Sequence, residues 1–258
     1  MPYARINAAQ VYYQQTGVGP DVVFLHGAGG NHLSWWQQTS AMAAAGYRCT
    51  SWDARGWGLS RGEIAVGRWA FGPDLVALLE HLDIARAHVV AQSMGGRAVA
   101  GLSRLAPQRI RSLVLCGTTA GATNDRIREL QDELRDIRGD ATLREFALAE
   151  GFEAAQPALA HLYRQINSLN PPRPAGMLGR PPATYRGSMH DNLGALAVPV
   201  QFIVGEHDLI TSPEMIREAA ALIPGAAVHE IKGAGHSAYF EAPAEWNQVV
   251  LDFLSQVP

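Results

Sequence analysis

The sequence predicts an α/β domain in which helices flank a mostly parallel sheet of eight strands. Apolar, strand-like runs alternate with segments of helical periodicity both before residue 118 and after residue 196. The run at 22–25 (VVFL) is apolar throughout, which is typical of a strand covered on both faces. A chain of 258 residues that is 47% hydrophobic can bury one large core and still carry an insertion.

Six of the predicted strands lie in the first part of the chain. Residues 4–6 and 11–15 alternate in strand fashion around a turn at 7–9, which predicts an opening hairpin. Further strands are predicted at 21–25, 47–52, 88–91 and 112–116. Helices are predicted between them at 35–45, 71–82 and 96–105.

The regular alternation stops after Gly117, which predicts a helical insertion. Residues 124–140 place isoleucines and leucines on one face of a strongly charged helix. Further helices are predicted at 142–152, 157–169 and 184–193, with a Pro- and Gly-rich loop at 170–182. The α/β pattern then resumes with strands at 198–204 and 227–231 and helices at 213–222 and 243–254. We therefore assign residues 1–118 and 196–258 to an α/β core and residues 119–195 to a helical cap.

Charge and composition exclude several classes of partner. The formal net charge is −3 and no basic tract is present, which argues against nucleic acid or an anionic membrane as a partner. No stretch is long and apolar enough to span a bilayer, and the N-terminus has no apolar signal core, so we expect a cytoplasmic protein. A small-molecule substrate is the expected partner. The sequence does not decide whether the chain forms a homodimer.

The sequence predicts no metal and no cofactor. Cys49 and Cys116 fall inside predicted strands and are expected to be small buried hydrophobic residues. The nine histidines do not show a metal-binding spacing such as H-E-x-x-H. The glycine-rich loops lack the lysine of a phosphate-binding loop and a strand-linked G-x-G-x-x-G, so nucleotide binding is unsupported.

One serine stands between a predicted strand and a predicted helix, with small residues on either side. Residues 91–95 (AQSMG) match the nucleophile-elbow pattern G-x-S-x-G, with alanine at the first small position. Such a turn exposes the serine hydroxyl at the top of a sheet and tolerates only small neighbours. A serine before a helix is also a common N-cap, so Ser93 alone leaves both interpretations open.

An acid and a histidine follow two later predicted strands. Asp208 lies just past one strand, and His236 lies in a glycine-rich loop after the next. A serine nucleophile needs a base that takes its proton, and that base needs an orienting acid. Groups at the carboxyl ends of neighbouring parallel strands converge on one crevice, so we expect Ser93, Asp208 and His236 to meet there. Glu206 is an alternative acid, and a helix-capping role is the alternative for Asp208.

These motifs resemble those of the α/β-hydrolase fold superfamily, in its large group of small, cap-bearing serine hydrolases. The resemblance covers essentially the whole chain and rests on motifs in a fixed order: HGAGG at 26–30, DARGWGLS at 53–60, AQSMGG at 91–96, and the pair Asp208 and His236. Each motif is common alone, and all of them in this order are highly specific.

The resemblance implies roles for these residues. Ser93 would be the nucleophile, His236 the general base and acid, and Asp208 its orienting partner. The oxyanion hole would consist of the backbone N–H groups of Ala28 and Met94, with Gly29 beside them.

Other residues near the motifs are candidates for substrate contacts. Aromatic and methionine side chains in such places favour a mostly apolar substrate, although packing in the core is their usual role. With Gly29, the candidates are Trp35, Trp36, Met177, Met189 and Tyr239. Cap arginines are candidates for binding a substrate carboxylate, with solvated surface as the alternative: Arg173, Arg180 and Arg186.

The remaining polar residues of the motifs are expected to be structural. His26 is predicted to hydrogen-bond within its loop, and Arg55 is predicted to brace neighbouring loops. His32 and His190 are more often ordinary polar residues than pocket residues. The other histidines are predicted at surface or edge positions: His81, His88, His161, His207 and His229.

A serine at position 93 also restricts the chemistry. The resemblance disfavours haloalkane dehalogenases and epoxide hydrolases, which use an aspartate at that position. It implies hydrolysis of a carboxylic ester or lactone of a mostly apolar small molecule through an acyl-enzyme. One alternative is a carbon–carbon bond hydrolase of a β-diketone or vinylogous diketone acid that uses the same residues. Another is a ligand-binding regulator without turnover.

Overall fold

A mixed, open sheet of nine strands forms the centre of the computed structural model, which describes residues 2–63, 67–173, 193 and 195–257. Its strands are β1 (Tyr3–Ile6), β2 (Ala9–Thr16), β3 (Asp21–Leu25), β4 (Arg48–Trp52), β5 (Arg61–Gly62), β6 (Ala87–Gln92), β7 (Ile110–Cys116), β8 (Val200–Gly205) and β9 (Ala227–Ile231). They lie in the order β1-β2-β4-β3-β6-β7-β8-β9, and β5 pairs with β2 off this path.

Most of the strand pairs are parallel. The pairs that run from β4 through β3, β6, β7 and β8 to β9 are all parallel. Only the pairs that β2 makes with β1, β4 and β5 are antiparallel among the described strands. The predicted α/β class is confirmed, and each of the eight predicted strands is present. β5 was not predicted, because two residues are too short to show a period.

Nine helices occur in the described part of the chain. They are α1 (Trp36–Ala44), α2 (Phe71–His81), α3 (Gly96–Leu105), α4 (Asp125–Arg138), α5 (Phe152–Ala155), α6 (Pro157–Ser168), α7 (Pro213–Ala221), α8 (Ala238–Glu241) and α9 (Pro243–Ser255). Short 3₁₀ turns occur at His32–Trp35, Gly67–Ala70, Ser93–Gly95 and Pro107–Arg109. None of the helices within these ranges combines the length and apolar composition that crossing a bilayer requires.

The helix predicted at 142–152 is wrong. The chain there forms successive turns, in which Glu145 donates its N–H to Thr142 and Ala147 donates to Arg144. Backbone groups that a helix would use are bound instead to the last part of the chain: Ser237 donates to the carbonyl of Ala147. Tertiary hydrogen bonds therefore override local helix propensity in this segment. The helix predicted at 184–193 lies almost wholly outside the described residues.

The sheet separates two hydrophobic clusters, and β6 contributes to both. Val89 and Ala91 belong to the cluster that contains residues of α2 and α3, whereas Val90 belongs to the cluster that contains residues of α1 and α9. Every residue of β6 is buried. The strand that leads into Ser93 is therefore held on both faces and on both edges.

Two helices of the described part of the predicted cap pack into the hydrophobic clusters of the core. Ile127, Leu130 and Leu134 of α4 join the cluster that contains Ile216 of α7. Ile166 of α6 joins the other cluster. The division into a core and a cap at 119–195 stays a prediction.

The prediction that His88 lies at a surface or edge position is wrong. It lies in the central strand β6 with 2% of its surface exposed, and its Nδ1 is 2.8 Å from the hydroxyl of Ser112. Burial lowers the pKa of His88 to about 4, assisted by the positive charges of Arg111 and Arg86. The sequence does not reveal this burial, because His88 stands at the start of its apolar run.

We expect His88 to make the fold sensitive to acid. The pKa falls from 6.5 to about 4 on folding, so the unfolded chain binds the proton more tightly. Stability is therefore lost as pH falls below 6.5, by about 3 kcal/mol at most once pH 4 is reached. The measurement is the free energy of unfolding by urea across this range for wild type and His88→Gln. The variant should show a shallower decline, whereas His81→Gln, at an exposed position, should follow wild type. Parallel curves for His88→Gln and wild type would contradict the prediction.

Candidate active site

Ser93 lies in a strained turn at the carboxyl end of β6. Its φ is +48°, in the left-handed region that costs an ordinary residue on the order of 1–2 kcal/mol. The small neighbours are required sterically. A Cβ on Gly95 would lie 2.3 Å from the carbonyl oxygen of Leu25, and one on Gly27 would lie 1.8 Å from Oε1 of Gln92. The turn is thus held against β3, where only small residues fit.

Asp208 and His236 form a buried, hydrogen-bonded pair. Nδ1 of His236 lies 2.8 Å from Oδ2 of Asp208, and the two residues are 5% and 2% exposed. The other carboxylate oxygen, Oδ1, accepts the backbone N–H groups of Ile210 (2.7 Å) and Thr211 (2.8 Å). These bonds fix the carboxylate, so that it accepts a hydrogen bond from Nδ1–H and leaves Nε2 as the basic nitrogen.

Ser93 and His236 line the same cavity. This cavity, of about 200 Å³, also includes Ala28, Gly29 and Tyr239. A second cavity of about 490 Å³ shares Ala28 and Ser93 and is lined by Met94 as well. The predicted nucleophile, base and oxyanion residues therefore open on one connected region at the carboxyl edge of the sheet.

The loop at 26–30 is held by hydrogen bonds to its carbonyl groups. The carbonyl of Gly27 accepts the N–H of Gly30 (3.0 Å) and faces Nδ1 of His26 (2.8 Å). The carbonyl of Ala28 accepts the indole N–H of Trp57 (2.7 Å). In a trans peptide the carbonyl and the next N–H point in opposite directions. The N–H groups of Ala28 and Gly29 are therefore turned away from these partners and are available as donors.

The end of α6 closes on the same loop. Nδ2 of Asn170 donates to the carbonyls of Gly29 (2.9 Å) and Gly30 (3.1 Å), and its Oδ1 accepts the N–H of Gly58 (2.9 Å). A Cβ on Gly29 would lie 2.4 Å from Oδ1 of Asn167. The sequence does not reveal the roles of Trp57, Asn167 and Asn170, because single polar atoms that bind backbone groups leave no periodic signal.

The polar residues behind the loop are structural, as predicted. Nε2 of His26 accepts the N–H of Ala54 (3.0 Å), and burial lowers the pKa of His26, which favours the neutral ring. Nδ1 of His32 lies 2.9 Å from both carboxylate oxygens of Asp53. Arg55 makes two hydrogen bonds to Asp74, of 2.9 and 2.8 Å, and so ties its loop to α2.

The candidates for substrate contact fall into four groups. Gly29 and Tyr239 line the cavity beside Ser93. The prediction that Trp35 contacts the substrate is corrected, because Trp35 is fully buried in the core. Its ring centroid lies 4.6 Å from that of Tyr239. Trp36 is 44% exposed and is not among the described residues that line these cavities. The others lie outside the described residues: Met177, Met189, Arg180, Arg186 and His190.

The alternative acid, Glu206, does not contact His236. Its carboxylate binds Nζ of Lys232 (3.0 Å) and the N–H of Gly233 (3.0 Å). Among the described residues, no group of three His, Cys, Asp or Glu side chains is arranged to hold a metal ion. Asp208 is therefore the acid that the geometry pairs with His236.

Comparison with known proteins places the chain among hydrolases of one fold family. The sequence profile of the α/β hydrolase fold family matches residues 20–243. The chain is 31% identical to the protein named "Putative non-heme bromoperoxidase BpoC" of Mycobacterium tuberculosis, over 95% of this chain and 97% of the relative. It is 28% identical to a 2-hydroxy-6-oxononadienedioate/2-hydroxy-6-oxononatrienedioate hydrolase of Paraburkholderia phymatum, over 96% of this chain and 91% of the relative.

A solved structure of similar fold is the enol-lactonase of Burkholderia xenovorans LB400. It superposes with a TM-score of 0.77 over 99% of this chain and 100% of that one, at 22% identity. At this identity the similarity concerns the fold. The match of the family profile to most of the chain establishes that this protein belongs to the α/β-hydrolase fold family.

Proposed function

We propose that this protein is a serine hydrolase that cleaves a carboxylic ester or lactone. The observation that carries the proposal is the buried Asp208–His236 pair, whose histidine lines the same cavity as Ser93. A serine, a histidine and an oriented carboxylate at the edge of one crevice are the parts that acyl transfer needs.

The mechanism follows from the positions of these groups. Ser93 would attack the substrate carbonyl while Nε2 of His236 takes the hydroxyl proton. Asp208 would hold the ring in the required tautomer and stabilise its positive charge. Backbone N–H groups of Ala28 and Met94 would bind the oxyanion, and His236 would pass its proton to the leaving oxygen. Water activated by His236 then attacks the acyl-enzyme and releases the acid.

A carbon–carbon bond hydrolase is the second candidate, and one relative favours it. The Paraburkholderia phymatum relative is named for such a reaction and aligns over almost its whole length. The same serine and histidine would catalyse cleavage of a carbon–carbon bond in a keto acid. The two candidate functions therefore differ in substrate and not in catalytic residues. A panel of esters, lactones and vinylogous diketone acids separates them by relative kcat/KM.

Ser93→Ala tests the nucleophile. We expect turnover of short p-nitrophenyl esters to fall by at least about 10³-fold, because loss of one member of a triad disables the whole unit. The matched control is Ser103→Ala, since that hydroxyl binds only a carbonyl of its own helix in the described structure. The control should keep activity within a few-fold of wild type. Equal rates for Ser93→Ala and wild type would reject the assignment, and a ligand-binding role would replace it.

Trp57→Phe tests whether Trp57 supports the loop at 26–30, here called the oxyanion loop because it carries the proposed oxyanion donor Ala28. The change removes the indole N–H that binds the carbonyl of Ala28 and frees that peptide to rotate. We expect kcat to fall about 10- to 100-fold with a much smaller change in KM, because the lost interaction acts on the transition state. Trp246→Phe is the control, since that indole is equally buried but lies in the cluster on the other side of the sheet. An equal loss of kcat in both variants would indicate a general packing effect.

A further inference from the structure

Arginines stand out among the described residues that line the two cavities at Ser93. Their described lining residues include three arginines, Arg97, Arg104 and Arg144, and no aspartate or glutamate. A concave site lined by one sign of charge concentrates oppositely charged ligands. This bias is local, because the whole chain has a formal net charge of −3.

Arg144 is the arginine that lines the smaller cavity together with Ser93 and His236. It stands in the turns between α4 and α5, in the segment where a helix was predicted. This segment is fixed over the catalytic histidine, because the carbonyl of Ala147 accepts the N–H of Ser237, the residue after His236. Arg144 is therefore presented to the cavity by backbone that is bonded to the active site.

Arg144 has no acidic partner within the described ranges. Other arginines of the predicted cap do: Arg164 makes two hydrogen bonds to Glu153, both of 2.7 Å, and Arg126 pairs with Glu214. Arg144 also lines a larger cavity of about 1070 Å³ together with Glu145, Glu150, Glu153 and Glu206, and none of these described carboxylates forms an ion pair with it. Burial lowers the pKa of Arg173, and the positive charge of Arg144 contributes to that shift. Arg144 is therefore without an ion pair among the described residues, and its guanidinium can bind an anion in the cavity beside Ser93.

Arg173 connects this positive charge to the oxyanion loop. Its guanidinium lies over the ring of Trp57, 4.3 Å from the ring centroid, and one N–H reaches the carbonyl of Ala28 at 3.4 Å. Stacking on Trp57 occupies one face of the guanidinium and keeps it in place. Arg173 thus adds positive charge behind the loop, while Arg144 lines the cavity itself.

We propose that the substrate carries a carboxylate on its acyl part, and that Arg144 is the residue that selects it. The proposal rests on the proposed function, because it concerns the substrate of the same site. A guanidinium binds a carboxylate through two parallel hydrogen bonds, which supplies orientation as well as affinity. The cavity beside Arg144 is small, about 200 Å³, so only a short chain would separate the carboxylate from the reacting carbonyl.

The test compares two esters of equal chain length, p-nitrophenyl hydrogen glutarate and p-nitrophenyl pentanoate. The measured quantity is the ratio of their kcat/KM values, which cancels any general loss of activity in a variant. Wild type should prefer the carboxylated ester, and Arg144→Gln should lower the ratio about 10- to 100-fold, the usual worth of a charge-assisted hydrogen bond. Arg144→Lys should keep part of the preference, because it retains the charge but not the paired geometry.

Arg164→Gln is the matched control, since it removes one exposed arginine of α6 that does not line the cavities at Ser93. Its ratio should equal that of wild type. A wild-type ratio below one, or a ratio that Arg144→Gln leaves unchanged, overturns the proposal while the esterase function stands.

A binding measurement separates this proposal from the proposed function. Glutarate should raise the Tm of wild type, and the rise should disappear in Arg144→Gln. If neither ester is hydrolysed but this shift is observed, the carboxylate site stands and the hydrolase proposal fails. If neither turnover nor a shift is observed, both proposals are wrong.

Discussion

The left-handed backbone conformation of Ser93 is the constraint on which the candidate site depends. A φ of +48° is unfavourable for serine and persists only where the surroundings impose it. Here the strand before it is buried along its length, and the turn after it fits because Gly95 allows contact with Leu25. The same contact brings β3 and its loop, which carries Ala28, beside the serine. The proposed nucleophile and the proposed oxyanion donor Ala28 are thus placed together by one packing arrangement.

The orientation of the loop depends on donors that take no part in the chemistry. Trp57 and Asn170 bind carbonyl groups of Ala28, Gly29 and Gly30, and thereby direct the N–H groups of the loop. Asn170 follows α6, so the segment after that helix is linked by hydrogen bonds to the loop at 26–30.

Sequence patterns predicted the elements that have a period or a short motif. The eight strands, most of the helices, and the pairing of Asp208 with His236 belong to this group, since strand ends in a parallel sheet determine which residues meet. Features that depend on tertiary contacts were not predictable. Trp35 is apolar and adjacent to a motif, yet packing against Tyr239 places it in the core. Arg144 lies in a segment whose turns exist only because of bonds to the C-terminal part of the chain.

The most direct measurement is covalent labelling of the native protein with a fluorophosphonate, followed by mass spectrometry of its peptides. Such a reagent reacts with a serine that is activated by a histidine and faces an oxyanion hole. We expect one adduct per chain, located at Ser93, which is absent after unfolding in urea and in His236→Ala. An unlabelled Ser93 in the folded protein, or an adduct on another serine instead, would contradict the assignment of Ser93, His236 and Asp208 as one catalytic unit.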